Sequence, residues 1–200
     1  MKKIMMIAAM IVASMSANAQ VADGVFTLKP TVGINLANMT KLDDSKMRAG
    51  LVAGVEGEYG LADDFSFSAG VLYSQQGAKY KDSFLGANLD LTCKLDYINI
   101  PIMANYYIVK GLAVKVGVQP GFKVSSKISG NATYDDLNSS GSSSIDNAKG
   151  FALSVPMGLS YEYNNIVLDA RYNLGVTKAL DNGDAKHSWF AITLGYKFAL

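Results

Sequence analysis

Residues 112–125 read LAVKVGVQPGFKVS. Taken alternately, Leu112, Val114, Val116, Val118, Pro120, Phe122 and Val124 form an entirely apolar file, while Ala113, Lys115, Gly117, Gln119, Gly121, Lys123 and Ser125 form a small or polar one. Successive side chains of a strand point to opposite faces, so this stretch is a strand with one apolar and one polar surface. The split recurs where Ile166, Leu168, Ala170, Tyr172, Leu174 and Val176 oppose Val167, Asp169, Arg171, Asn173, Gly175 and Thr177. It recurs again where Phe190, Ile192, Leu194, Tyr196 and Phe198 oppose Ala191, Thr193, Gly195 and Lys197.

Carried along the chain, the alternation predicts strands at 26–37, 49–60, 65–77, 95–108, 112–125, 150–163, 166–177 and 188–198. No segment beyond residue 19 sustains the 3.6-residue apolar period of a helix. These strands are 11–14 residues long. Strands of soluble sheets average about 5 to 6 residues, and a tilted strand crosses a bilayer in about 9 to 11. The expected fold is all-β, an eight-stranded antiparallel up-and-down transmembrane β-barrel.

The connections alternate between long ones at 38–48, 78–94, 126–149 and 178–187 and tight ones at 61–64, 109–111 and 164–165. A bacterial outer-membrane barrel keeps its long loops extracellular and its short turns periplasmic. This places both ends of the mature chain in the periplasm. Phe26, Tyr59, Phe65, Phe67, Tyr106, Tyr107, Tyr161, Tyr163, Tyr196 and Phe198 gather near the short-turn ends, as an interfacial aromatic girdle does. The four prolines, Pro30, Pro101, Pro120 and Pro156, fall inside predicted strands, and each is expected to mark a bulge or a break in the ladder.

The chain opens with Lys2 and Lys3, an apolar run from Ile4 to Ala13, and small residues ending Ala17, Asn18, Ala19. That is the form of a secretory signal peptide over residues 1–19, cleaved between Ala19 and Gln20, with the barrel domain at 20–200. The apolar run is shorter than the roughly 18 residues of a spanning helix. Without Lys2 and Lys3, the 18 basic residues become 16 against 17 acidic ones, a formal charge of −1. Such a balance offers no basic surface for nucleic acid. Cys93, the single cysteine, cannot form an internal disulfide and reads as a tolerated loop residue.

If the apolar faces meet lipid, the lumen receives Lys29, Asn35, Glu56, Glu58, Gln76, Asn99, Lys115, Gln119, Lys123, Glu162, Asp169, Arg171 and Lys197. An eight-stranded barrel is only wide enough for its side chains to fill. The nearly matched charges therefore predict a paired, hydrogen-bonded plug, built on Lys29, Glu56, Glu58, Lys115, Lys123, Glu162, Asp169, Arg171 and Lys197. A narrow porin-like channel is the alternative. An outer-membrane lipid-modifying enzyme would draw on His187 and Ser188 with Asp181 or Asp184, but adjacent strand residues face apart, so the pair would have to lie in a loop. A soluble ligand-holding barrel would turn its apolar faces inward. Asp43, Asp44, Asp135, Asp136 and Asp146 lack the spacing of a calcium loop, and the Ser/Gly/Asn-rich segment 126–149 has too little apolar content to pack. No cofactor or metal is expected. The expected partners are outer-membrane lipid, the barrel-assembly machinery during insertion, and a lipopolysaccharide or protein contact at the long loops.

Several phrases carry a family resemblance: TVGINLAN at 31–38, GVLYSQQGAKY at 70–80, LDYINIPIMANYYI at 95–108, VGVQPGF at 116–122, LDARYNLGVTK at 168–178 and LGYKF at 194–198. Together they resemble the PorT-like outer-membrane β-barrel family of Bacteroidota, over essentially the whole mature chain. The resemblance implies a porin-like outer-membrane barrel. Relatives near the family's namesake serve a Bacteroidota secretion system, and the resemblance implies no catalytic or binding residues.

Overall fold

The computed structural model describes residues 23–39, 45–84, 87–134, 137–144, 150–178 and 186–200. The expected leader with its Ala19–Gln20 cleavage site lies outside them, as do Asp43, Asp44, Asp135, Asp136, Asp146, Asp181 and Asp184. Every regular element among the described residues is a strand: β1 (Phe26–Met39), β2 (Ser45–Ala62), β3 (Phe65–Phe84), β4 (Ala87–Asn99), β5 (Ile102–Val109), β6 (Leu112–Tyr134), β7 (Leu137–Ser144), β8 (Phe151–Tyr163), β9 (Ile166–Lys178), β10 (Lys186–Tyr196) and β11 (Phe198–Ala199).

These strands make eight staves of a closed antiparallel barrel. β4 and β5 are one stave interrupted at Ile100–Pro101, since both keep one register against β3 and β6. β11 likewise continues β10 past Lys197. The ring runs β1, β2, β3, β4/β5, β6, β8, β9, β10/β11, and it closes where β1 pairs with β10 from Thr31↔Gly195 to Met39↔His187. Closure leaves no unpaired edge within the wall, as a lipid environment demands.

Tight turns at 63–64, 110–111 and 164–165 gather at one end of the barrel, called here the turn end. The 164–165 turn is Asn–Asn, with φ of 47° and 66°. Two successive left-handed residues make the hairpin turn whose twist suits antiparallel strands, and Asn tolerates that conformation. Both termini of the barrel lie at this end too, where the Leu200 amide donates to the Phe26 carbonyl at 3.0 Å.

Each proline sits beside an interruption of the ladder. Pro30 pairs with Val55 on one flank and faces the Lys197 break on the other. Pro101 separates β4 from β5, and Pro120 lies opposite its neighbour Ile100, whose amide donates to the Pro120 carbonyl at 2.8 Å. Pro156 pairs with Asn173 but drops out of the β6 ladder between Val116↔Met157 and Gln119↔Ser154. The missing N–H thus always meets a gap, and the bulges occur at other positions.

All four segments expected as long loops contain strand, the 178–187 segment only at its ends, Lys178 and Lys186–His187. β3 and β4 pair through 78–94 to Phe84↔Ala87, and β6 and β7 pair from Lys127↔Ser144 to Tyr134↔Leu137 within 126–149. β2 begins at Ser45, inside the segment read as a 38–48 loop. Cys93 is accordingly a strand residue, opposite Ala78 and Ile128. The reason is backbone pairing. Beyond the apolar zone a strand needs neighbours for its N–H and C=O groups but no apolar face, so the side-chain pattern fades before the ladder does.

The outward face is apolar, with Val32, Ile34, Val71, Val116, Val118, Leu159, Leu168 and Leu194 about half exposed. Of the expected girdle, Phe26, Tyr59, Phe67, Tyr106, Tyr161 and Tyr163 are exposed at the turn end, with tilted or edge-on ring pairs at Tyr196–Phe198 and Phe65–Phe67. Tyr107 is a correction. As the neighbour of outward Tyr106 it points into the lumen, where it is buried. A lipid-phase thiol probe is expected to label Val116→Cys and not Gln119→Cys, both in a Cys93→Ser background. The reverse pattern would turn the faces inside out. Gly117 is unsuitable as the inward position, because a Cβ there would overlap the Ile102 carbonyl of the neighbouring strand.

Candidate functional site

The inward file of each strand converges on the lumen. Lys29 (β1), Glu56 and Glu58 (β2), Lys115 (β6), Glu162 (β8), Asp169 and Arg171 (β9) and Lys197 (between β10 and β11) are all buried there. The local cause is alternation: each residue follows the parity of its strand's polar file, and tilted strands bring the files to comparable depths.

These eight residues divide into two clusters. In the first, Arg171 meets Glu56 through two guanidinium–carboxylate contacts of 2.5 and 2.7 Å and meets Asp169 through Nε at 2.6 Å. Lys29 reaches Glu56 at 2.7 Å, and Lys115 reaches Asp169 at 3.0 Å. Forked Arg–carboxylate contacts fix direction as well as charge. Three cations against two carboxylates leave this cluster at +1.

The second cluster lies nearer the turn end. Lys197 bridges Glu58 at 3.0 Å and Glu162 at 2.7 Å, one cation against two carboxylates, net −1. Glu58 Oε1 also accepts from Ser66 Oγ at 2.5 Å and from the Tyr107 hydroxyl at 2.6 Å. Lys197 Nζ in turn donates to the Tyr107 oxygen at 3.0 Å. The β5 stave and the β10/β11 stave are separated by three staves in either direction around the ring. The Lys197–Tyr107 bond therefore crosses the full width of the barrel. The two clusters are complementary in net charge and together neutral, which offsets the desolvation that each buried ion brings.

Towards the other end the filling becomes polar and then apolar. Asn35 Nδ2 donates to Ser74 Oγ at 2.7 Å, Gln76 Nε2 to Ser74 Oγ at 3.1 Å, and Ser154 Oγ to the Gln119 carbonyl at 3.2 Å. Leu95, Tyr97 and Met103 are buried, and Trp189 packs with Ala37 and Ala191. Asn99 is buried as well, whereas Lys123 is only half-buried and lies further along β6 than Lys115. Several lumenal groups are absent from the expected list, among them Asn105, which donates to Ser66 and Ser68 Oγ at 3.1 and 3.2 Å, Arg48 and Tyr107. Arg48, assigned to a loop, lies on β2 and donates to the Gln76 carbonyl, and its even number matches the parity of Glu56 and Glu58. Tyr107 was assigned to the girdle, although its parity with Met103 and Asn105 points inward.

His187 and Ser188 are consecutive positions in β10, paired with Met39 and Asn38, rather than loop neighbours. The ladder with β9 shifts register between Lys186 and Ser188, and Asp181 and Asp184, the acids of that reading, lie outside the described residues. Among the described residues no group of His, Cys, Asp and Glu is arranged to hold a metal.

A family model described as an outer membrane protein beta-barrel domain matches residues 18–181. No curated protein matches the chain. Among solved structures it is similar to Ail, the attachment invasion locus protein of Yersinia pestis, at 15% identity over 88% of this chain and 99% of that one, TM-score 0.49. It is also similar to Neisserial surface protein A, at 16% identity over 88% and 99%, TM-score 0.45. The N-terminal β-barrel domain of Pseudomonas aeruginosa OprF follows at 14% identity over 88% and 98%, TM-score 0.35. With the family match running through nearly every strand of a closed antiparallel barrel, the chain belongs to the outer membrane protein beta-barrel domain family and resides in the outer membrane.

Proposed function

We propose that this protein is a closed, non-conducting barrel with a structural or interaction role, carried by the end opposite the tight turns. The observation that supports this reading best is the Lys197–Tyr107 hydrogen bond of 3.0 Å between opposite staves. A lumen crossed at its full width and flanked by the Glu56–Arg171–Asp169 cluster leaves no continuous path for ions. Removal of the leader at Ala19–Gln20 and insertion by the barrel-assembly machinery would leave both termini and the tight turns in the periplasm, and the long strands facing outward. The outward end would then meet lipopolysaccharide or a protein partner. The finer assignment to the PorT-like branch, with its link to a secretion system, rests on the phrases between residues 31 and 198 quoted above.

Planar-bilayer recording on the purified, reconstituted protein tests the closed lumen. The expected result is no steady current at moderate voltage. A stable unitary conductance that persists in the wild-type barrel would overturn the plug and favour a narrow channel.

A further inference from the structure

The staves are unequal in length. β1, β8 and β9 have 14, 13 and 13 residues, whereas β6 has 23 and β3 has 20. At about 3.3 Å per residue, roughly ten extra residues carry β6 on the order of 30 Å past the shorter staves, measured along the strand. β4 follows β6 as far as Asn88↔Thr133, and β3 follows β4 to Phe84↔Ala87. On its other flank β6 pairs with β8 up to Phe122↔Phe151 and then, in line above β8, with β7. A four-stranded sheet, β3–β4–β6–β7, thus stands above the rim.

β7 pairs with β6 and with no other strand among the described residues. Its far edge therefore presents backbone N–H and C=O groups to no ladder partner within the described sheet. Exposed edges are ordinarily guarded by Lys, Pro, inward charges or bulges. β7, LNSSGSSS, has no charge and no proline, and its ladder with β6 has no register shift.

We propose that the β7 edge pairs with the β7 edge of a second copy of this chain, antiparallel, joining two barrels that sit in facing membranes. Antiparallel pairing about Gly141 sets Ser140 opposite Ser142, Ser139 opposite Ser143 and Asn138 opposite Ser144. No like charges meet, and cross-strand hydroxyl pairs are favourable. A foreign strand gains specificity from pockets for alternate side chains. A Ser, Gly and Asn edge supplies none, whereas it is complementary to itself.

The inverted arrangement follows from symmetry. Two antiparallel neighbours in a sheet are related by a two-fold axis normal to that sheet, an isologous contact. Because the protruding sheet continues the barrel wall, the axis lies in the membrane plane and turns the second barrel over. The inference rests on the outward orientation proposed above. An eight-residue ladder buries less than the roughly 1,000 Å² of a stable interface, so a single pair is weak, and many pairs between two surfaces bind by multivalency.

The test uses full-length protein in two populations of phosphatidylcholine vesicles, one carrying donor lipid and the other acceptor lipid, mixed after reconstitution. Energy transfer that rises with protein density is expected. Ser140→Pro combined with Ser142→Lys should abolish it while the barrel keeps its heat-modifiable gel mobility. Gly141→Cys, in a Cys93→Ser background and oxidised with copper–phenanthroline, should yield disulfide dimers between differently tagged copies from separate vesicles. Absence of transfer from protease-accessible sheets, transfer unchanged by the double substitution, or dimers formed only within one vesicle would each overturn the pairing. Protease digestion of whole cells separates the two readings. A sheet protected from external protease overturns the outward orientation together with the pairing, whereas an accessible sheet that fails to cluster vesicles overturns the pairing alone.

Discussion

Replacing Glu56 by Gln is expected to lower the unfolding free energy by about 3–5 kcal/mol, the range seen when one partner of a buried ion pair is removed. The size follows from the arithmetic of the first cluster. Glu56 holds Lys29 at 2.7 Å and Arg171 at 2.5 and 2.7 Å. Without its charge, Lys29, Lys115 and Arg171 share Asp169 alone, and a buried +1 becomes +2. Arg171→Met should be milder, because Lys29 with Glu56 and Lys115 with Asp169 remain as two matched pairs. Adding Lys29→Met to Glu56→Gln restores the net +1 and should recover part of the loss. Urea titration of the refolded protein in lipid vesicles, run as a double-mutant cycle, measures each term. Equal losses for Glu56→Gln and Arg171→Met would show that net charge is not what the cluster balances.

Gly117→Val is expected to abolish folding outright, a loss of about 4 kcal/mol or more, in the extreme tail of single substitutions. Gly117 on β6 pairs with Met103 on β5. A Cβ there would overlap the Ile102 carbonyl oxygen and stand 2.8 Å from the Met103 Cα, both backbone atoms of the paired strand. Relief requires moving the ladder itself. Gly57 is the control: on the outward face, its added Cβ would meet chiefly the Phe26 ring, at 2.7 Å from Cζ. That ring can swing into lipid, so Gly57→Ala should fold normally. Heat-modifiable mobility on unboiled gels reads the folded fraction of both variants. A well-folded Gly117→Val barrel would mean that β5 and β6 can separate where the backbone places them in contact.

Much of the barrel was legible in residues 112–125 and their counterparts because alternation is a local property. Bilayer outside and packed lumen inside impose opposite demands on successive residues, so the sequence itself shows the faces. The tight turns were legible as the short gaps between alternating segments, and at 164–165 the structure closes that gap with Asn164 and Asn165, residues that accept a left-handed backbone. Strand extent was less so. Segments 78–94 and 126–149 lie beyond the apolar zone, where neither face must be apolar, and their strand character comes from the partner's backbone. Tyr107 went astray because an aromatic near a strand end suits either an interface or a lumen; its parity with Met103 and Asn105 points inward, and its hydrogen bonds to Glu58 and Lys197 hold it there.

The sequence by itself determined an exported chain's expected form, the number of membrane-crossing strands, the polar and apolar file of each, and the inward facing of Lys29, Glu56, Glu58, Lys115, Glu162, Asp169, Arg171 and Lys197. Tertiary structure decided how those charges group. Glu56 and Arg171 are 115 residues apart, and Lys197 and Tyr107 are 90 apart. Parity sends each inward, but only closure of β1 onto β10, with the stagger of the tilted staves, sets which of them share a depth. The β7 edge that meets no other strand among the described residues likewise arises from unequal stave lengths, a property of the assembled sheet that no single strand's pattern contains.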